Sequence, residues 1–258
     1  MSLVTLLTDF GWASPYPGQM KGVLRSLCRA ALIDLTHDVP AHDIACGAYV
    51  LAAAARAFPA GTIHLAVVDP GVGTSRLPVA IASGGQVFVG PDNGLLLVAA
   101  RALGTPRAHA VAVERFALRP LSTTFHGRDL FAPAAAAIAR GLAVEQVGPP
   151  VPAPVVLPEQ PAARDGGLLR GQVLYRDPFG NLITNIPAGW LDDLAGPLVI
   201  VHARGQATAH RVTTYGDGAP GDLVILAGSD GTAEIAVRGG RAADLLPFGP
   251  GDPVMIRS

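Results

Sequence analysis

The chain has 258 residues, half of them hydrophobic and 15% charged, which excludes a disordered or coiled-coil protein and allows a full core in one large or two smaller domains. Its 19 basic and 20 acidic residues give a formal charge of -1 without any basic run, and aromatics are only 5%, so nucleic acid is excluded as the expected partner. A small molecule fits better.

The opening segment MSLVTLLTDF has no basic leader and reaches Asp9 after one apolar run, so it reads as a buried first strand rather than a signal peptide. Through residue 148, β-rich runs at 3–7, 32–36, 63–68, 79–82, 87–89 and 110–113 alternate with helical stretches near 18–29, 43–58, 94–103 and 129–140. That alternation predicts an α/β domain over 1–148, a mostly parallel sheet flanked by helices. The segment PPVPAPVVLPEQP then predicts a Pro-rich linker over 149–165, because fixed φ angles and missing N–H donors favour an extended connector. Beyond it, short runs at 168–175, 182–186, 198–201, 210–214, 223–226, 233–237 and 254–256 are punctuated by Gly, Asp and Pro. They predict a smaller all-β domain over 166–258, an antiparallel sheet or barrel.

Cys28 and Cys46, the two cysteines, lie in apolar helix-like contexts and suggest neither a disulfide framework nor a thiolate metal site. The Ala-rich stretch 44–57 contains Arg56 and falls short of the ~20 apolar residues that cross a bilayer. A cytoplasmic protein without a membrane association is expected.

In open α/β sheets ligands bind beyond the carboxyl ends of the strands, so polar clusters just after apolar runs carry the chemistry. These are TDFG at 8–11, VDPGVG at 68–73, GPDNG at 90–94 and FHGRD at 125–129; DPFGN at 177–181 opens the second domain. Asp69 stands at the lip of a two-glycine turn with Arg76 seven residues on, a pattern that serves an Asx-turn and a surface ion pair as well as a site. His126 could equally be a satisfied loop histidine, and Asp129 is expected to cap the helix that follows. Asp9 could accept the hydroxyls of a ribose, and Asn181 could be a turn residue or could read an adenine edge. The seven histidines show no zinc spacing on a helix and no G-x-G-x-x-G follows a strand, so no metal and no dinucleotide is expected.

Taken in order, TDFG, GQMKGVL, THDVPAHDI, FPAGTIHLAVVDPGVGTSR, FVGPDNGLL, STTFHGRDLFAPAAA and DPFGNLITNI are more specific than any one of them. From Leu3 to about Val237 the chain closely resembles the S-adenosyl-L-methionine hydroxide adenosyltransferase family, relatives of the bacterial fluorinase and chlorinase. The resemblance implies hydrolysis of S-adenosyl-L-methionine to adenosine and methionine without a cofactor, the family's water-activating Asp, Arg and His falling on Asp69, Arg76 and His126. It implies a homotrimer whose active sites lie between the N-terminal domain of one subunit and the C-terminal domain of its neighbour. Asp9 would bind the ribose hydroxyls and Asn181 the adenine, with Phe179, Tyr215 and Ser229 nearby and Asp177 holding the second-domain turn.

Two positions depart from the family pattern. Ser14 stands where many members carry Asp toward the substrate's amino group, and Asp230 where the halogenases place Arg near its carboxylate. Two other readings compete. A halide-dependent enzyme is disfavoured because the halogenases replace Asp69 with an uncharged residue and carry a long insertion where this chain has only Ser83-Gly84-Gly85. A non-catalytic S-adenosylmethionine or adenosine binder would have no need of a base beside the sulfonium carbon.

Overall fold

The computed structural model describes residues 2–158, 160–202 and 204–258. It divides into two compact units, Met1–Leu157 and Pro158–Ser258.

In the first unit the strands are β1 (Leu3–Thr8), β2 (Ala31–Thr36), β3 (Thr62–Val67), β4 (Pro78–Ser83), β5 (Gln86–Pro91) and β6 (Arg107–Ala110). The helices are α1 (Tyr16–Leu27), α2 (Ile44–Ala55), α3 (Leu95–Leu103), the single turn α4 (Val113–Phe116) and α5 (Ala132–Ala139), the last preceded by a π-helical turn at Gly127–Phe131. The strands form one sheet in the order β2-β1-β3-β5-β4-β6, in which β2, β1, β3 and β5 run parallel. β3 is buried at every residue, as a strand covered on both faces must be, and α1 packs with α5 while α2 packs with α3.

β4 runs antiparallel to β5, and the reason is local: Gly84 and Gly85 at φ 55° and 78° make a two-residue turn that pairs Ser83 with Gln86. Two left-handed residues in succession give the turn whose twist matches a tight hairpin. The last strand of the sheet lies at 107–110 rather than 110–113, because Val113–Phe116 turns helical and leaves Ala110 as the final residue paired with β4. The segment from Pro149 to Leu157 is held to the first unit, with Ala110 N donating to Pro149 O, Val151 N to Ala108 O and Val155 N to Asp92 Oδ1.

Two histidines are sealed inside this unit. His64 bridges Thr5 Oγ1 at 2.7 Å and Gln86 Oε1 at 2.8 Å and stacks on Phe88, while His37 lies between Thr8 Oγ1 and Asp34. Burial is the main reason that each titrates below the ordinary value of 6.5. An unfolded chain therefore binds more protons than the native one as pH falls below 6.5, so the stability these residues contribute is complete above that value and is lost below it. The melting temperature is expected to drop between about pH 7.5 and about pH 5.5, and a rise over that interval would contradict the neutral assignment.

The second unit is built from β7 (Ala163–Asp165), β8 (Leu168–Arg176), β9 (Leu182–Pro187), β10 (Leu198–His202), β11 (Gly205–Arg211), β12 (Leu223–Ala227), β13 (Thr232–Val237) and β14 (Pro253–Arg257), with a short α6 (Ala242–Leu245). Among the described residues, β14-β10-β11-β12-β13-β9-β8 closes into a seven-stranded barrel through the β14–β8 pairing, and β7 adds to β8 outside the ring. Closure leaves few unpaired edges and encloses a core of Leu169, Leu182, Ile200, Ile225, Ile235 and Ile256.

Candidate active site

β3 ends at Val67, and Val68 carries the chain to Asp69 at the carboxyl edge of the sheet, where an α/β fold presents its ligand groups. The backbone is fixed there by Asn93, whose Nδ2 donates to Val68 O at 2.8 Å while its Oδ1 accepts from Leu95 N at the start of α3. The GPDNG cluster therefore braces the strand end that bears Asp69.

The turn after Asp69 brings the next two groups together. Gly73 sits at φ 78°, and a Cβ there would lie 2.6 Å from Thr123 O, so only glycine lets this turn pack onto the backbone of the STTFHG loop. Arg76 consequently reaches back over Asp69 and across to His126. Its Nε donates to Asp69 Oδ1 at 3.0 Å and Oδ2 at 3.1 Å, its Nη2 donates to Oδ2, and Nη2 also donates to His126 Nδ1 at 2.9 Å. The Arg76 and Asp69 side chains are only 11% and 5% exposed, so the pair is shielded from water and its geometry is worth more than a surface ion pair. Phe131 lies under the guanidinium, 5.1 Å from ring centroid to Cζ.

A guanidinium can only donate, so His126 Nδ1 must present its lone pair to Arg76. The neutral imidazole then carries its proton on Nε2. Burial first, and the Arg76 charge second, push the His126 pKa below 6.5, which keeps the ring neutral at neutral pH. The three groups thus offer two donors, the guanidinium and the imidazole N–H, beside one carboxylate.

Asp129 does not cap the helix. It lies inside the π-helical turn, 2% exposed, with its carboxylate accepting from Ser122 N at 3.0 Å and from Arg128 Nε at 2.6 Å. Burial alone would raise its pKa, but Arg128 and the Ser122 amide outweigh burial and hold it below the usual carboxylate value. The wider π turn carries Asp129 inward and ties it to the loop that holds His126. Arg128 also donates to Gln19 of α1 at 2.8 Å.

Asp9 follows β1, and its Oδ2 accepts from His42 N at 2.9 Å. Ser14 Oγ donates to Gly11 O at 3.2 Å within the same loop.

The remaining sequence candidates belong to the second unit. Asp177 and Asn181 close the β8–β9 turn on each other: Asn181 N donates to Asp177 Oδ1 at 2.8 Å and Asn181 Nδ2 to Oδ2 at 2.9 Å. This leaves Asn181 Oδ1 and one Nδ2 hydrogen for another partner. Phe179, at the tip of that turn, is 75% exposed. Tyr215 donates its hydroxyl to Glu234 Oε1 at 2.5 Å, and burial together with that carboxylate pushes the phenol up to about 12. Burial also raises Glu234, with Asp177 and Asp230 adding their negative charge, so these three carboxylates and Tyr215 share one electrostatic neighbourhood. Ser229 is exposed on the β12–β13 turn beside Asp230.

Two contributors escaped the sequence reading. Phe131 follows His126 by five residues, a separation that only the π turn makes useful, and Glu234 lies inside an apolar strand run where nothing marks it as Tyr215's partner. Among the described residues no group of three or more His, Cys, Asp or Glu side chains is placed to hold a metal ion.

The chain is similar to known proteins over nearly its whole length. The family model described as the SAM hydroxide adenosyltransferase N-terminal domain matches residues 4–148, and that of the C-terminal domain matches 171–255. A protein of Salinispora tropica named (R)-S-adenosyl-L-methionine hydrolase is 43% identical over 98% of this chain and 97% of its own length. One of the same name from Thermus thermophilus is 39% identical over 99% and 100%. The crystal structure of an uncharacterized conserved protein from Thermotoga maritima superposes with a TM-score of 0.94 at 35% identity, covering 99% of this chain and 100% of that one. The chain belongs to the SAM hydroxide adenosyltransferase family.

Proposed function

We propose that this protein hydrolyses S-adenosyl-L-methionine to adenosine and L-methionine by attack of water on the ribose C5′. The observation that carries the reading is the single guanidinium of Arg76 held between the Asp69 carboxylate and His126 Nδ1. Membership of the family and the hydrolase names of its relatives support it.

The chemistry needs little else. The sulfonium leaves C5′ as a neutral thioether, so the reaction lacks only a competent nucleophile. Water ionises with a pKa of about 15.7, and a nearby positive charge stabilises the hydroxide character that grows as the C–O bond forms. Arg76 supplies that charge and His126 Nε2–H donates to the same oxygen. With Nδ1 committed to Arg76, the imidazole has no free lone pair, which leaves the Asp69 carboxylate to take the proton. Holding water in line with the C5′–S bond supplies further acceleration.

In this reading Asp9 accepts the ribose hydroxyls and Asn181 reads adenine with its remaining amide donor and acceptor, while Asp177 fixes the Asn181 amide. Phe179, Tyr215 and Ser229 line the adjoining surface. No cofactor or metal takes part. The enzyme works in the cytoplasm as a homotrimer, each active site joining the N-terminal domain of one subunit to the C-terminal domain of its neighbour. A sulfonium with three different substituents is a pyramidal stereocentre, and the relatives' names specify the R form; this chain takes that form as well.

Purified protein incubated with each sulfur epimer, with and without chloride, tests the reading. Adenosine and methionine in equal amounts, faster from the R form and indifferent to chloride, are expected. Halide-dependent 5′-halo-adenosine, or binding without release of adenosine, would overturn it.

A further inference from the structure

A second polar chain, separate from Asp69, Arg76 and His126, runs beneath the loop that carries Asp9. His37 is fully buried and bonds at both ring nitrogens: Nδ1 to Thr8 Oγ1 at 2.9 Å and Nε2 to Asp34 Oδ1 at 3.0 Å. Lys21 donates to the other oxygen of Asp34 at 2.7 Å. The directions follow from chemistry. The Asp34 carboxylate only accepts, so His37 Nε2 carries the proton and Nδ1 offers a lone pair, to which the Thr8 hydroxyl must donate. The Thr8 oxygen is then free to accept, and Phe10 N donates to it at 3.3 Å.

The order Thr, His, Asp is that of a nucleophile with its base and orienting acid. Thr8 has no exposed surface, however, and its oxygen already holds the Phe10 amide, so it cannot reach a substrate. What it can do is fix the backbone on both sides of Asp9. Thr8 O accepts from Val39 N at 3.3 Å and Gly11 N donates to His37 O at 2.7 Å, which lock the β1 exit loop to the loop after β2. The same second loop supplies the direct contact to Asp9, since His42 stands at φ 67°, a conformation uncommon for a residue with a side chain, and aims its amide at Asp9 Oδ2.

We propose that Thr8, His37 and Asp34 are positioning residues that set the Asp9 carboxylate for the ribose hydroxyls. The inference rests on the proposed role of Asp9 and extends it: selectivity for a ribose over a deoxyribose comes from the buried Thr8–His37–Asp34 chain as much as from Asp9 itself.

Calorimetric binding of adenosine and 2′-deoxyadenosine tests this. The wild-type protein binds adenosine about tenfold more tightly, the size of one hydrogen bond to a charged group. Thr8→Val keeps the shape of the side chain and removes the hydroxyl; the preference collapses to about twofold or less. Thr8→Ser restores most of it, whereas a loss of packing alone would leave the ratio unchanged in every variant. Asp34→Ala, at the more exposed end of the chain, reduces the ratio in the same direction if Thr8→Val does not fold. A ratio that stays at its wild-type value in Thr8→Val and in Asp34→Ala overturns the inference while leaving Asp9 as the ribose ligand. A wild-type protein that does not distinguish the two nucleosides removes the ribose role of Asp9, and the positioning role with it.

Discussion

Replacing Arg76 with lysine is expected to lower kcat by about 10²–10³-fold while changing KM for S-adenosylmethionine by less than about tenfold, the signature of a donor that acts on developing charge. The guanidinium makes bonds from two separate nitrogens, Nε and Nη2, to the Asp69 carboxylate and one more from Nη2 to His126. An ammonium concentrates its donors on one atom and cannot span both partners, so Lys keeps the charge and loses the geometry. The loss falls on kcat because Arg76 is proposed to act on the attacking water and not on the resting substrate. Steady-state release of adenosine measures it. A kcat within threefold of wild type would remove Arg76 from the chemistry and reduce the Asp69–Arg76 pair to a structural ion pair.

His126 should matter through two different atoms. His126→Ala removes both the acceptor that steadies Arg76 and the Nε2–H proposed to face water, and a drop in kcat of about 10² is expected. His126→Asn keeps an acceptor near the Nδ1 position but no donor at Nε2, so it should hold Arg76 in place and recover only part of the rate. The pH profile separates these roles further. Once protonated, His126 can no longer accept from Arg76, and its pKa lies below 6.5 because of burial and the neighbouring guanidinium. Wild-type kcat should therefore be flat near neutral pH and fall on the acid side, below 6.5. That acid limb should be absent from His126→Asn. An unchanged limb in the variant would assign it to another group.

Much of this protein is legible in its sequence, and the exceptions have particular causes. β1 and β3 are visible as mainly apolar runs, broken only by polar residues such as Thr5 and His64, because strands covered on both faces need no polar alternation. The hairpin of β4 and β5 is harder to see, since Ser83-Gly84-Gly85 reads as a short loop until both glycines are known to be left-handed. The stretch 149–157 reads as an extended linker because it is rich in proline, and two of its amides, at Val151 and Val155, find acceptors on the first unit. Asp129 is misread as a cap because the capping argument assumes an ordinary α-helical start, and the chain instead opens with a π turn.

The same contrast holds for the candidate site. Asp69 and Arg76 are seven residues apart in a glycine turn, and their proximity can be anticipated locally; His126 is 50 positions further on. Spacing alone does not bring it in. The contact depends on Gly73 pressing against Thr123, a tertiary fit that leaves only a glycine as its trace in the sequence. The buried chain of Thr8, His37 and Asp34 is also silent, because each residue alone reads as ordinary strand or loop and only the pairing of β1 with β2 brings them side by side.

The central claim, that water attacks C5′, is tested most directly by running the reaction in water enriched in heavy oxygen and analysing the products by mass spectrometry. The isotope should appear in the 5′-hydroxyl of adenosine, with none in methionine. Adenosine without the label, or 5′-methylthioadenosine in its place, would contradict it.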